Sequence, residues 1–561
     1  MTDETKKKIG LDDYLIKYNK DGFEQLQKTA FVVDFFFQKK DGTLITVIDG
    51  TKYQIYSYKK EPSGFKVTIS IIDPKNREPI YKDSLPLWSA KKRKEFANKY
   101  KDKGFTEIER HLTVIEEQIK RYVPMDNSKI EKQEQAEKLL SVKTSLFDIH
   151  RVLGESMSSP WIHDVIEIAI ATSINMPLLE KSKDNGLLWV LIIGNPSSYK
   201  TESVLHLSGT PYCYFLDSLT ANSFVSGYVD VTGEKAKDLL PELKGKFLII
   251  KDYTTLFSLN EDLIKKVLGD LQSIYDGDYS KYTGTVGNIT YKDIKFSHIG
   301  CITPLVVSKR HTFMSMLGSR FLFYRIPELK NEEIDAGCEI LWEGNRGRQN
   351  ELTKICSAHS YQLYKAIPNI EIQAETKDQK KKLNTLAKLL ARGRGVIVGE
   401  TTQYYDKSDS IKSKPKLSYS MKEMQVEEPF RALNQLRTLS RALAIVHGRK
   451  MITDHEIEII RRVVVSSMPI DRSKVLTLLI KDKQITRMSC KEALDKSYST
   501  AVELLEELVH LKILKKCKNE QLDYHKTGGI LYEVEDEFLT VLSDSIEPLD
   551  HICDIVANDA T

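Results

Sequence analysis

Eight consecutive residues, Gly194, Asn195, Pro196, Ser197, Ser198, Tyr199, Lys200 and Thr201, have the types and order to hold a polyphosphate. They follow the apolar run LLWVLII at 187–193 and precede ESVLHLSG, which has helical spacing. Strand, glycine-led turn and helix are the context of a phosphate-binding loop, where backbone N–H groups and the helix N-terminus cradle phosphate oxygens. In such a loop Lys200 reaches the β- and γ-phosphates of ATP, and the Thr201 hydroxyl binds Mg²⁺. One position departs from the pattern. The residue before the lysine is usually glycine, and Tyr199 requires its ring to point away from the nucleotide. The plainer alternative is an ordinary Ser/Pro turn ahead of Lys-Thr.

ATP hydrolysis needs a second strand ending in an acid for Mg²⁺, usually followed by a glutamate that orients the attacking water. KFLIIKDYTTL at 246–256 is the candidate, and Asp252 is its one acid. Asp252 registers as the Mg²⁺ ligand with Tyr253 in the glutamate position, or as the base-like residue with Lys251 in the Mg²⁺ position. The sequence leaves both open. Asp217, Glu261, Asp276 and Asp278 are nearby acids that would supply the missing member, and a site that binds without hydrolysing is the other outcome. A third apolar run, SHIGCIT, ends at Thr303, which either orients water near the γ-phosphate or caps its strand. Arg320 precedes the run FLFYRIP. Its planar, permanent charge suits a transferring phosphoryl group in a neighbouring subunit, the alternative being a surface ion pair of little worth.

These residues need a scaffold, and the chain is long enough for several. At roughly 150 residues per domain, 561 residues give three or four folded units. Residues 1–28 read as a basic helical segment, 29–86 as a small antiparallel β module broken by Asp-Gly turns, and 87–160 as a helical arm. Apolar strands alternating with helices over 161–330 indicate a parallel sheet covered on both faces. Residues 331–468 read as a helical lid with a polar surface loop near 402–425. Residues 469–546 give three helical patterns and a hairpin, the order of a winged helix-turn-helix, and 547–561 form a tail. The fold class is thus multidomain α/β with a P-loop parallel sheet. In the winged unit, Lys491, Lys496, Tyr498, Ser499, Thr500 and Lys526 are the expected DNA contacts, although Glu503, Glu506 and Glu507 on the same helix repel phosphate. Protein contacts are the other use of such a unit.

Composition narrows the class further. Lys+Arg 83 against Asp+Glu 79 leaves +4, so any nucleic-acid surface is a local patch rather than a general coat. Seven scattered cysteines with no CxxC pair argue against disulfide frameworks and zinc fingers, and for a reducing, cytoplasmic setting. No apolar run approaches the ~18–20 residues of a membrane span.

The order of these motifs resembles a family. Asp252-Tyr-Thr-Thr-Leu after KFLIIK, Cys301-Ile-Thr-Pro, and Gly318-Ser-Arg-Phe-Leu-Phe-Tyr look like the Walker B, sensor 1 and finger motifs of AAA+ ATPases. The likeness is to minichromosome-maintenance (MCM)-like replicative helicases of bacterial mobile elements and phages, over about residues 160–470. It implies a hexameric ATP-dependent DNA helicase using Mg²⁺, with Arg320 acting in trans. Arg431, in Arg431-Ala-Leu-Asn-Gln-Leu, resembles the sensor 2 arginine and would contact the γ-phosphate. The stretch 275–296, with turn residues Gly284, Gly287 and Asn288, would be a hairpin in the ring's channel. Lys281 and Lys292 would grip single- or double-stranded DNA there, beside stacking tyrosines. The segment IGLDDYL at 9–15 looks like the closing helix of a Toprim-like domain, which implies a separate primase as a partner. A nucleotide-switched DNA-binding initiator and an AAA+ remodeller of protein complexes are the rival readings.

Overall fold

The computed structural model describes residues 37–38, 43–61, 64–75, 78–101, 103–122, 127–157, 159, 161–182, 186–220, 222–226, 238–284, 287–304, 319–344, 346–404, 416–518 and 530–542. The 1–28 segment, the tail and Lys526 lie outside them. The chain divides into two compact units, Met1–Lys132 and Gln133–Thr561.

The first unit is a five-stranded antiparallel meander of β1 (Phe37–Gln38), β2 (Leu44–Ile48), β3 (Thr51–Glu61), β4 (Gly64–Ile71) and β5 (Asp83–Pro86). Between β2 and β3 the pair Asp49-Gly50 takes φ of 47° and 76°. This is the two-residue turn whose twist matches that of paired strands, which is why Asp-Gly stands there. Alternate residues Tyr53, Ile55, Val67, Ile69 and Leu85 form one apolar face. Helices α1 (Ala90–Lys101) and α2 (Ile108–Tyr122) cover it with Phe96, Tyr100, Leu112, Ile115 and Ile119. The 87–160 stretch is therefore shared out, its first two helices completing this core.

The second unit is mixed α/β around a parallel sheet of β6 (Trp189–Ile193), β7 (Cys213–Leu216), β8 (Phe247–Ile250), β11 (Ser297–Ile302) and β12 (Leu322–Arg325), in the order β12-β6-β11-β8-β7. Side chains alternate between two cores. Val190, Ile192, Ile249, Ile299 and Tyr324 go to one, and Trp189, Leu191, Leu248, Ile250 and Phe323 to the other. Burial on both faces explains why these strands read as unbroken apolar runs. Helix α4 (Trp161–Ser173), preceded by α3 (Leu146–Ser156), is buried at every position but its first. Helix α5 (Lys200–Leu205) follows β6, and α6 (Glu261–Tyr275) precedes the antiparallel hairpin of β9 (Tyr279–Thr283) and β10 (Gly287–Tyr291).

Helices α7 (Arg346–Ala366), α8 (Lys377–Gly393), α9 (Phe430–Val446) and α10 (Asp454–Ser466) share the first of those cores with α4. The stretch near 402–425 is not simply a surface loop. It belongs to an antiparallel ribbon of β13 (Val396–Tyr404) and β14 (Lys416–Gln425). The chain continues as α11 (Ile470–Asp482), β15 (Gln484–Thr486), α12 (Arg487–Leu494), α13 (Tyr498–His510), β16 (Leu514–Lys518) and β17 (Ile530–Val534), the strands pairing β15-β17-β16. Among the described residues no single helix is long and apolar enough to cross a membrane.

Candidate nucleotide site

From β6 the chain runs to the far edge strand β7, steps back through β8 and β11, and then crosses to β12 on the other side of β6. Strand order reverses around β6, and open α/β sheets bind ligands at the carboxyl ends of strands at such a point. The loop 194–199 emerges there. Gly194 N–H donates to the Ile302 carbonyl at 3.2 Å, tying the loop to β11. A Cβ on Gly194 would stand 2.6 Å from Ser198 Oγ and 3.2 Å from Ile326 Cδ1, so close approach demands glycine.

Ser197 (φ 62°) and Tyr199 (φ 59°) are left-handed while Ser198 between them is not. Such alternation turns backbone N–H groups into an anion-binding concavity. Glycine is common before the lysine because this conformation costs other residues about 1–2 kcal/mol. The Tyr199 ring is half-buried and packs against the apolar core. Lys200 is 8% exposed and donates from Nζ to the Asn195 carbonyl at 2.9 Å, within its own loop. Burial lowers its pKa, against the opposing influence of Cys301 and Asp252. The buried Cys301 thiol donates to the Lys200 carbonyl at 3.6 Å, and burial pushes its pKa up to about 12. Ser198 Oγ is buried with no hydrogen-bond partner among the described residues. An orphaned hydroxyl, a lysine and a left-handed turn fit a polyphosphate, and Thr201 and Asp252 are the oxygen donors that fit Mg²⁺.

Asp252 lies just past β8, half-buried, and its carboxylate accepts the Thr254 N–H at 2.7 Å. Its two neighbours turn elsewhere. Lys251 is half-exposed with Nζ 3.9 Å from Asp217. Tyr253 is 1% exposed, and its hydroxyl meets His298 Nε2 at 2.7 Å. Its ring fills the space over Gly300, where a Cβ would come within 2.4 Å. The buried Tyr253 hydroxyl is thus committed to His298, and Asp252 works against the lowering of the Lys200 pKa by burial. Asp278 accepts the Asp293 N–H at 3.1 Å, and Glu261 opens α6. Thr303 follows β11 directly; Ile302 pairs with Ile193, which sets Thr303 level with Gly194.

The two arginines are placed differently. β12 runs parallel to β6 with Leu322 opposite Val190, so Arg320 stands at the start of β6 and the loop at its end. A five-residue strand separates them by roughly 16 Å. Arg320 donates from Nε to the Gln272 carbonyl at 3.1 Å and pairs with Asp276 at 2.9 Å. Arg431 donates to Ser319 Oγ at 2.8 Å and lies 3.9 Å from Asp276. Gln435, one turn on in α9, donates to the Arg320 carbonyl at 2.9 Å. Arg431 thus stands beside Arg320, at the opposite end of β6 from the 194–199 loop. Phe430, its neighbour, is 69% exposed.

In the hairpin, Lys281 shares a face with buried Tyr279 and Ile289 and donates to the Val225 carbonyl at 3.4 Å. The outer face carries Ser280, Tyr282 and Thr290 instead, with Tyr282 81% exposed. The alternation along YSKYT could have identified Tyr282 from sequence. Lys292 is exposed just beyond β10. In the C-terminal segment, Tyr498, 37% exposed, starts α13, Ser499 and Thr500 sit in its Ser497-capped first turn, and Lys491 is half-buried on α12. Lys496 lies 3.7 Å from Asp471. Two of the three acids of α13 are occupied internally, Glu506 with Arg487 and Tyr532 and Glu507 with Arg472. Tyr419 of β14 stacks near His510, so part of α13 faces the ribbon.

No family model and no curated protein sequence matches the chain. Among solved structures it is similar to a candidate ATPase from Cytophaga hutchinsonii, at 14% identity and TM-score 0.32, over 61% of this chain and 89% of that one. It is also similar to the active helicase Cch of SCCmec type IV, at 8% identity and TM-score 0.31, over 92% of this chain and 100% of that one. Values this low transfer no residue and no activity from either protein.

Proposed function

We propose that this chain is an ATP-dependent DNA helicase of the MCM-like AAA+ type, working as a hexameric ring in replication of a mobile element or phage. The observation that carries the reading is the separation of charges within one chain. Lys200, Thr201, Asp252 and Thr303 gather at the carboxyl end of the sheet, and Arg320 with Arg431 at the other end. A complete phosphoryl-transfer site then needs one chain's loop against another chain's arginines, a heterologous contact that closes into a ring.

In this reading the loop N–H groups and Ser198 hold the phosphates, Lys200 leaves the Asn195 carbonyl for the β- and γ-phosphates, and Thr201 and Asp252 hold Mg²⁺. Thr303 orients water. Mg²⁺ supplies charge neutralisation across the phosphates when bound. A neighbour's Arg320 and Arg431 exchange Asp276 for the developing phosphoryl charge. The hairpin presents Tyr282 and Lys292 to a DNA strand, and the 469–546 unit acts as a winged helix with Tyr498, Ser499 and Lys491 outward. The single acid at Asp252 favours a second reading, a nucleotide-switched initiator that binds ATP and DNA with little turnover.

The test is ATP hydrolysis with and without single-stranded DNA for wild type, Lys200→Ala, Arg320→Ala and a one-to-one mixture of the two variants. Each variant alone is expected to be inactive. The mixture should recover about a quarter of wild-type turnover, because one random interface in four pairs an intact loop with an intact arginine. Binding without turnover in the wild type would leave the switch, and a silent mixture would sink the shared site.

A further inference from the structure

Five of the chain's 12 histidines lie in the helical layer of the second unit, far from the nucleotide loop in sequence. His150 is on α3, His163 on α4, His359 on α7, His447 caps α9, and His455 is on α10. Three of them meet around one carboxylate. Glu167 of α4 is fully buried; its Oε1 lies 2.9 Å from His150 Nε2 and its Oε2 lies 3.0 Å from His447 Nε2. His455 stands edge-on to His447 with ring centroids 4.7 Å apart. One ligand atom each from Glu167, His447 and His455 can be chosen so that all three lie within 4.8 Å of one another.

We propose that Glu167, His447 and His455 form a binding site for Zn²⁺. Two imidazoles and a carboxylate are a zinc donor set, and around bonds of ~2.0–2.1 Å tetrahedral ligands stand roughly 3.3 Å apart. The 3.0 Å approach of Glu167 Oε2 to His447 Nε2 is already near that spacing. Both ligands have the outer partners that orient metal ligands. His447 Nδ1 meets Glu456 Oε1 at 2.5 Å, which aims Nε2 at the site, and Glu456 is itself fixed by Arg449 and the Thr453 N–H, each at 2.6 Å. His150 Nε2 stands 2.9 Å from the other oxygen of Glu167. Binding displaces any proton on His447 Nε2 to solvent, so each ion taken up releases at most one proton there. The ion would join α4, which lies against the sheet, to α9, which carries Arg431 and Gln435, and to α10. Its role is structural: a crosslink between the sheet and the helices that place the trans arginines.

The test uses the untagged full chain, purified without chelator or nucleotide, with metal content read by plasma mass spectrometry. About one zinc per chain is expected, held by three protein ligands with water in the fourth tetrahedral position. His455→Gln should lose at least nine-tenths of it while keeping nucleotide binding, since it leaves the buried Glu167–His447 contact intact. Co²⁺ exchanged into the wild type should give the visible absorption of a tetrahedral site, absent in the variant. A metal chelator should lower the melting temperature of the wild type only. A chain that purifies free of metal and takes up neither Zn²⁺ nor Co²⁺ from micromolar solution would overturn the proposal. So would a His455→Gln chain that holds as much zinc as the wild type.

Discussion

Glu375, just ahead of α8, clamps the helix that carries Arg431. Its carboxylate accepts from Arg437 Nε at 2.9 Å and Nη2 at 3.2 Å, and from Arg441 Nε at 2.6 Å, with both arginines on α9. The side chain is 2% exposed. Burial alone would raise its pKa, yet the hydrogen bonds from Arg437 and Arg441 outweigh burial and hold it at about 2. A folded-state pKa below the unfolded value contributes stability that is complete above the unfolded pKa and fades as pH falls through the folded one. Lowering from 4.5 to about 2 corresponds to about 3 kcal/mol at pH 7. By pH 4 about 1 kcal/mol of this has gone, and by pH 3 more than half. Glu375→Gln removes the charge and leaves Arg441, 9% exposed, with an uncompensated guanidinium. Calorimetric melting of wild type and variant between pH 7 and pH 3 should show a gap of several degrees that narrows with acid. Because α9 also sets Gln435 against Arg320, turnover should fall more than nucleotide affinity. A variant as stable as wild type at pH 7, or a gap that widens in acid, would refute the reasoning.

The loop, the left-handed tyrosine and the hairpin give three further expectations. Gly194→Ala forces a Cβ to within 2.6 Å of Ser198 Oγ, an overpacking of about 1–3 kcal/mol; titration with a fluorescent ATP analogue should show affinity falling about 5- to 150-fold, and unchanged affinity would mean the loop is not the binding element. Tyr199→Gly relieves a left-handed backbone while Tyr199→Val worsens it, so the same titration should leave the glycine variant near wild type and the valine variant about tenfold weaker or more. Equal losses in both would show that the ring, not the backbone, matters. Tyr282→Ala should lower single-stranded DNA affinity by the ~1–3 kcal/mol of one stacking contact and leave DNA-independent ATP turnover alone; fluorescence anisotropy showing no change would remove the hairpin from the DNA path.

Much of the carboxyl end of the sheet was legible in the residues. LLWVLII, KFLIIKD and SHIGCIT read as buried strands because both faces of the parallel sheet are covered, and the structure shows each buried along its length. The loop was legible because its chemistry is local: glycine, lysine and threonine in eight positions. The ribbon at 396–425 reads as a polar loop because its inner face is only half-buried, with Ile397 against the core and Tyr419 near His510 of α13. Apolar Val398, Met421 and Met424 are exposed, so no apolar–polar alternation along the sequence marks the strands. Lys281 was singled out for its charge, while pairing of β9 with β10 put that charge on the inner face and Tyr282 outside.

What the sequence determined by itself is whatever depends on neighbours along the chain: the strand–loop–helix at 189–205, the Asp49-Gly50 turn, the apolar strands, the lone acid at Asp252. Tertiary structure alone decided which side of that acid faces the loop, since period-two alternation separates the faces of a strand without saying what lies beyond them. Packing buried Tyr253 against His298 and left Asp252 half-buried just past β8, accepting the Thr254 N–H. It also brought Arg431 to Ser319 across 112 residues, and His150, Glu167, His447 and Glu456 together across about 300. Those groups meet because helices must bury their apolar faces against one sheet, and residues distant in the chain then share a small volume.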